Sequence, residues 1–228
     1  MPLVAGMRRV VRLGIVNAYL VAEDDGLTVV DTAIPGSHKA IVKAAGELGA
    51  PIRRILLTHA HGDHIGSLDA LARAVPDAEV LISARDARLL KKDMTLDPEE
   101  PQDKLRGGYP GAKTDPTRTV QHGDRVGSLQ AIATPGHTPG HLAFLDPRDG
   151  TLLCGDVFTT LGGVATTATR NLRFPFASMA TWSAELDLSS AEVLRGLQPA
   201  RLAPGHGPIV EDPGAAMDQA IAKARSRR

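Results

Sequence analysis

Ile55-Leu56-Leu57-Thr58-His59-Ala60-His61-Gly62-Asp63-His64 runs from an apolar segment straight into three histidines and an aspartate within six residues. Ile52 to Thr58 is predicted as a buried strand, and Leu68 to Val75 as a helix ended by Pro76. In extended backbone, residues two apart point the same way, so His59 and His61 share one side. Asp63 and His64 fall where the chain turns into a helix and aim at a neighbouring point, with Gly62 permitting a tight backbone path between them. Lone-pair donors fixed at a rigid strand end are what a metal ion requires. One isolated histidine would be read as an ordinary core or surface residue. Three beside an aspartate, in a chain with eight histidines in all, are read as ligands.

Three further segments repeat the pattern of an apolar strand followed by a rigid turn that presents a ligand. They are Thr134-Pro135-Gly136-His137-Thr138-Pro139-Gly140-His141, Leu153-Cys154-Gly155-Asp156 and Pro204-Gly205-His206-Gly207. Each is weak by itself, but together with the first they complete two coordination shells. His137 and His141 lie in one turn, and Pro139 and Gly140 reverse the chain between them, so only one of the two is expected to reach a given ion. His38 and His122 sit in ordinary helix-start and turn contexts and receive no role. Cys154 reads as a small core residue.

Around these motifs, Gly14 to Ala22 and Leu27 to Val30 are predicted as a hairpin turning at Asp24, Asp25 and Gly26, with Asp31 closing the second strand. Ser37 to Leu48 is predicted as a helix with Ser37 as N-cap and Gly49 as stop. Glu79 to Ser83 reads as a strand, and Asp86 to Lys91 as a short helix. In the second half, strands are expected at Arg125–Val126, Leu129–Thr134, Leu142–Asp146, Thr151–Cys154 and Arg201–Ala203. Helices are expected from Ser189 to Gly196 and after Asp212 (N-cap) and Pro213. Met94 to Thr117 has no period and is rich in Pro, Gly and charge. It is either a loop or short cap over a site or a solvated excursion. Strands followed by helices recur in both halves without a strict repeat or a low-complexity linker, so residues 1–228 are read as one domain.

Composition narrows the function. Of 228 residues 43% are hydrophobic, enough for a sizeable core, but only 3% are aromatic, so that core is built from Ala, Val, Leu and Ile. Lys plus Arg equals Asp plus Glu at 26 each, which gives no reason to expect nucleic acid or a membrane as partner. Lys223, Arg225, Arg227 and Arg228 form either a binding tail or, the favoured reading, a solvated helix end suited to the helix dipole. One cysteine excludes an internal disulfide framework. Met1 to Gly14 lacks an apolar leader, and no stretch approaches a membrane span. A cytoplasmic protein acting on a small molecule is expected; oligomeric state is not legible.

His59-Ala60-His61-Gly62-Asp63-His64 with His137, Asp156 and His206 resembles the signature of the metallo-β-lactamase fold superfamily, over Asn17 to His206. The resemblance implies an α/β fold, an αββα sandwich of two packed mixed sheets flanked by helices, with the site at one edge. It implies that His59, His61 and His137 bind one metal, that Asp63, His64 and His206 bind another, and that Asp156 bridges them. Asp31 resembles the aspartate that supports those ligands from behind. Such a donor set suits two Zn²⁺ and tolerates Fe or Mn. A hydroxide held between the metals would attack a carbonyl, with Asp63 orienting it.

Departures from named branches narrow the substrate. True metallo-β-lactamases lack the bridging aspartate and are exported. Glyoxalase II enzymes carry a long C-terminal helical domain. The flavodiiron branch has Glu where His61 stands, and the RNA-cleaving branches carry RNA-binding additions. What remains resembles compact lactonases and thioesterases, so a dinuclear zinc hydrolase of a lactone, thioester or other small ester is expected. The alternatives are a mononuclear iron persulfide dioxygenase or a nuclease of the same fold. Specificity is expected in 94–117 and 158–182. The latter holds Phe158, Arg170, Arg173, Phe174, Phe176 and Trp182, either walling an apolar pocket or forming core under a loop.

Overall fold

The computed structural model of the chain describes residues 6–227. The first five residues of the segment read for a leader, and Arg228 of the basic run, lie outside the described residues. β1 (Met7–Arg12), β2 (Val16–Glu23) and β3 (Gly26–Val30) form an antiparallel meander. α1 (His38–Leu48) then crosses over, so that β4 (Ile52–Leu56) lies parallel to β3. α2 (Gly62–Ile65) and α3 (Leu68–Ala74) lead to β5 (Glu79–Ser83), parallel to β4. α4 (Ala84–Leu90) and a long loop lead to β6 (Arg118–Val120), parallel to β5.

The second sheet opens with β7 (Arg125–Val126), β8 (Leu129–Ala133), β9 (Leu142–Asp146) and β10 (Thr151–Gly155), all antiparallel. A ribbon of β11 (Phe158–Thr159) and β12 (Ala165–Thr166), then α5 (Phe176–Ala180) and α6 (Ala184–Gly196), lead to β13 (Arg201–Pro204), parallel to β10. β14 (Val210–Glu211) and α7 (Gly214–Arg225) end the described chain. The two large sheets run β1-β2-β3-β4-β5-β6 and β14-β13-β10-β9-β8-β7.

Side-chain alternation along each strand builds four layers. On β2, Ala18 and Leu20 face Ile41, Leu68 and Leu71 of the helices, while Tyr19 and Val21 face the other sheet. On β9, Leu142 and Phe144 meet them there, and Ala143 turns outward with Leu152 and Cys154 onto Leu188 and Leu194 of α6 and Ile221 of α7. Strands buried on both faces read as continuous apolar runs, which is how they appear in the sequence. Each fully buried Leu, Ile or Phe contributes roughly 1.5–3 kcal/mol relative to exposure. The expected αββα sandwich is thus the observed architecture. No helix among the described residues is long and apolar enough to cross a membrane.

Local expectations fail where charge hides an element. β1 was not predicted; its arginines are half-buried while Met7 and Val10 are buried, so the strand lacks a clean alternation. The strand predicted from Gly14 begins at Val16, after a turn in which Leu13 and Gly14 have φ of 50° and 73°. α6 begins at Ala184, five residues before the predicted Ser189, with Ser183 accepting from the Leu186 amide. Glu185 and Asp187 make that first turn look polar, yet acids there suit the helix dipole. At α7 the N-cap is Pro213, not Asp212, and Ser37 caps α1 by position without a side-chain bond.

Candidate metal centre

Strand direction assembles the site. Asp31 follows β3, Thr58 to His64 follow β4, Asp156 follows β10 and His206 follows β13, so all leave the C-terminal ends of strands at one edge of the sandwich. That edge is where open α/β sheets present ligand sites. Asn17 ties the two sheets together there. Its backbone amide donates to the Gly205 carbonyl at 2.9 Å, and its side-chain amide donates to Pro204 and Gly207 carbonyls at 2.8 and 2.7 Å. Gly205 itself is required by close approach: a Cβ there would lie 2.2 Å from Asp156 Oδ1. Gly62 has a different role from the one expected. It is not at positive φ; it packs under Pro110, 3.1 Å from where its Cβ would be.

All seven expected ligand residues come together. His59, His61 and His137 form one group able to hold an ion, Asp63, His64 and His206 a second, and His59, His64 and Asp156 a third that joins them; within each, the donor atoms lie within 4.8 Å of one another. Asp156 spans both sides: Oδ1 is 3.3 Å from His64 Nε2, and Oδ2 is 3.5 Å from His137 Nε2 and 3.1 Å from His206 Nε2. Asp63 Oδ2 is 3.2 Å from His206 Nε2, and at 42% its side chain is the one carboxylate of the cluster substantially open to solvent.

Hydrogen bonds behind the histidines set which nitrogen faces inward. The Thr58 hydroxyl donates to Asp31, so it accepts from His59 Nδ1 at 2.9 Å and leaves Nε2 as the lone pair. His64 Nδ1 donates to Asp31 Oδ2 at 2.8 Å. His61 Nε2 donates to the Arg106 carbonyl at 3.0 Å, leaving Nδ1 inward, 3.0 Å from His137 Nε2. Thr181 donates to the Ala177 carbonyl and accepts from His137 Nδ1 at 3.0 Å. His206 Nδ1 donates to the Ile15 carbonyl at 3.3 Å. Five imidazoles therefore turn lone pairs toward one another and toward two carboxylates. His59 Nε2, His64 Nε2 and Asp156 Oδ1 are buried there without a hydrogen-bond partner.

Imidazole nitrogens and carboxylate oxygens buried this close together need a cation between them, a proton or a metal ion, so the residues present fit metal ions. The electrostatics agree. Burial holds His59 and His137 low, and His61 down to about 4. At His64 and His206 burial is outweighed by carboxylates, Asp156 foremost, which push His64 up and His206 up to about 9. The same carboxylates that draw a proton there draw a metal cation.

His141 does not join the cluster. Its Nδ1 donates to Thr134 at 2.8 Å, and its Nε2 accepts from the Asp156 backbone amide at 3.1 Å. Its lone pair is thus spent on positioning Asp156, and burial keeps the ring neutral, its pKa lowered to about 3. Two buried carboxyls went unnoticed in the sequence. Asp86 accepts from the Ala60 and Gly140 amides and from Thr138, clamping the two histidine turns together, and burial pushes its pKa up to about 6. Asp187 contacts Thr167, which in turn donates to the Asp156 carbonyl at 2.6 Å. The only hint was Ser83 three residues before Asp86, a capping pattern that says nothing of burial.

Two segments cover the centre. In 94–117, the Gly108 carbonyl accepts from the Gly62 amide, and the Tyr109 ring packs against His61 with centroids 4.7 Å apart and planes tilted by 52°, so this stretch is a cap rather than a solvated excursion. In 158–182 the aromatics divide. Phe158 and Trp182 are core, Phe174 packs 5.1 Å from the His206 ring, and Phe176 is 69% exposed.

Comparison with known proteins agrees with this geometry. YobT of Bacillus subtilis (strain 168) is 48% identical over 211 residues, covering 92% of this chain and 91% of its own. Hydroxyacylglutathione hydrolase of Xanthomonas euvesicatoria pv. vesicatoria (strain 85-10) is 33% identical over 147 residues, 63% of this chain; the match spans 46% of the relative. The solved structure of TTHA1623 in a di-iron-bound form superposes with a TM-score of 0.66 at 27% identity, over 90% of this chain and 94% of that one. The family model of the metallo-beta-lactamase superfamily matches residues 11–206, and the chain belongs to that superfamily.

Proposed function

We propose that the chain is a dinuclear metal-dependent hydrolase of a small carbonyl ester, with a thioester as the first substrate class to test. The observation that carries this reading is the shared position of Asp156 between two groups of inward-facing imidazole lone pairs. Seven donors exceed the four of one tetrahedral site, which argues against a mononuclear centre. His59, His61 and His137 would hold one ion, Asp63, His64 and His206 the other, and Asp156 both. When bound, such a pair supplies Lewis acidity and a water acidic enough to react near neutral pH.

The chain's own residues do the rest. Asp31, Thr58, Thr181 and the Arg106 and Ile15 carbonyls lock ring orientation, as outer partners of ligating histidines do. Asp63, partly open to solvent, would orient the attacking water. The cap over His61 excludes bulk water. Zinc suits the donors, while the di-iron form of TTHA1623 makes iron the metal to compare. The thioester class is supported by the hydroxyacylglutathione hydrolase, since an acylglutathione is a thioester. The test is a hydrolysis panel of acyl thioesters, lactones, β-lactams and phosphodiesters on protein whose metals are counted. Two metals per chain with fastest turnover of a thioester or lactone is the expected result. One metal after reconstitution, or carbapenem turnover matching the best ester, would overturn it.

A further inference from the structure

An open surface pocket of about 350 Å³ is lined by the exposed residues Arg170, Leu172, Arg173, Lys223 and Arg227. Two separate segments deliver these four cations: 170–173 from the stretch after β12, and Lys223 in the last turn of α7 with Arg227 in the turn that follows it. The helix dipole accounts for cations at the end of α7. It does not account for Arg170 and Arg173 arriving on the same cavity from elsewhere.

Among the described residues none of the four pairs with a carboxylate. Neighbouring arginines do: Arg225 on the same helix with Glu192, Arg195 with Asp218 and Arg201 with Glu211. Like charges gathered on one surface pocket repel one another weakly through solvent, a repulsion that a bound anion would relieve. Arg173 spends one N–H on the Gly162 carbonyl at 2.7 Å, and Arg227 one on the Arg170 carbonyl at 3.2 Å, which orients both guanidinium groups and leaves their other donors free.

We propose that this cavity is a binding site for a phosphate ester or diphosphate. Four cations from two sides exceed what a single carboxylate needs, whereas a multiply charged phosphate accepts several charge-assisted, forked hydrogen bonds at once. The volume lies within the range of small-molecule sites. Chain neighbours of two lining residues touch the ligand cluster. Arg173 precedes Phe174, whose ring packs on His206, and the Thr160 amide, two residues before Gly162, donates to the His206 carbonyl at 3.0 Å. The phosphate belongs either to the non-reacting end of the substrate, which rests on the hydrolase reading above, or to a separate ligand beside the site.

Calorimetric titration of the metal-loaded protein with inorganic pyrophosphate tests the site, comparing wild type with Lys223→Ala/Arg227→Ala and, from the facing segment, with Arg170→Ala. Loss of charge-assisted bonds should weaken the pocket's binding by roughly tenfold or more in the double variant; pyrophosphate bound at the metals is common to all three proteins and cancels. Thermal unfolding of each variant guards against misfolding. Steady-state kinetics with acetyl-coenzyme A and with neutral S-acetyl-N-acetylcysteamine then separates the two sources. A KM rising selectively for the phosphorylated thioester assigns the phosphate to the substrate; weakened pyrophosphate binding without that selectivity assigns it to a separate ligand. If pyrophosphate binding weakens but wild type cleaves neither thioester nor lactone, the anion site stands and the hydrolase reading falls. Unchanged pyrophosphate affinity in both variants overturns the proposal.

Discussion

The two halves of the ligand cluster are supported in opposite ways. On the first sheet, one residue backs two histidines: Asp31 receives His64 directly and His59 through Thr58, and it also accepts the Thr58 amide at 2.8 Å. Asp31 pays for this with a left-handed backbone, φ 61°, a strain that persists only where surrounding structure over-determines it. On the second sheet each ligand has its own support: Thr181 for His137, His141 for the Asp156 backbone and the Ile15 carbonyl for His206. Concentrated support makes a contiguous motif rigid with few residues, whereas distributed support lets three distant loops be held independently. Damage should therefore spread on the first side and stay local on the second.

The largest effect expected is from His137→Ala, which removes a donor outright. Metal content should fall below two per chain and turnover of the best substrate in the hydrolysis panel should be lost, read by elemental analysis and kinetics. Full metal content in that variant would sink the assignment. Next, Asp31→Ala should weaken metal at both positions, because His59 and His64 lose their orientation together. Losing one such partner costs about 10–100-fold, and here two ligands share it, so competition with a chelator should show both ions leaving more readily. Selective loss of one ion would mean the support is not shared.

His141→Ala should keep both metals yet lower kcat by about 10–100-fold, since it acts through the placement of Asp156. If this variant strips metal while His137→Ala retains it, the roles of the two histidines are reversed. Thr181→Val should have the smallest effect, confined to the His137 side, near the lower end of that same range. Chelator titration should show one ion loosened and the other as in wild type. An effect as broad as that of Asp31→Ala would erase the contrast between the halves.

What was legible in advance followed from local rules. The apolar runs of β2, β9 and β10 read as strands because both faces are buried, and His59-Ala60-His61-Gly62-Asp63-His64 reads as a ligand motif because its spacing is itself the geometry. β1 and the first turn of α6 were lost to charge, since half-buried arginines and dipole-suited acids look like loop when only neighbours in sequence are weighed.

The amino-acid sequence by itself therefore determined the layered fold and the seven candidate ligands. Tertiary structure decided which nitrogen of each histidine faces inward, that His141 serves Asp156 instead of an ion, and that Asp86 clamps two turns from fully within the core. It also gathered Arg170, Arg173, Lys223 and Arg227 onto one cavity. The physical reason is range: periodicity and turn chemistry act over a few residues, whereas a tautomer, a buried carboxyl or a charge cluster is set by partners tens of residues away whose approach only the packed sheets fix.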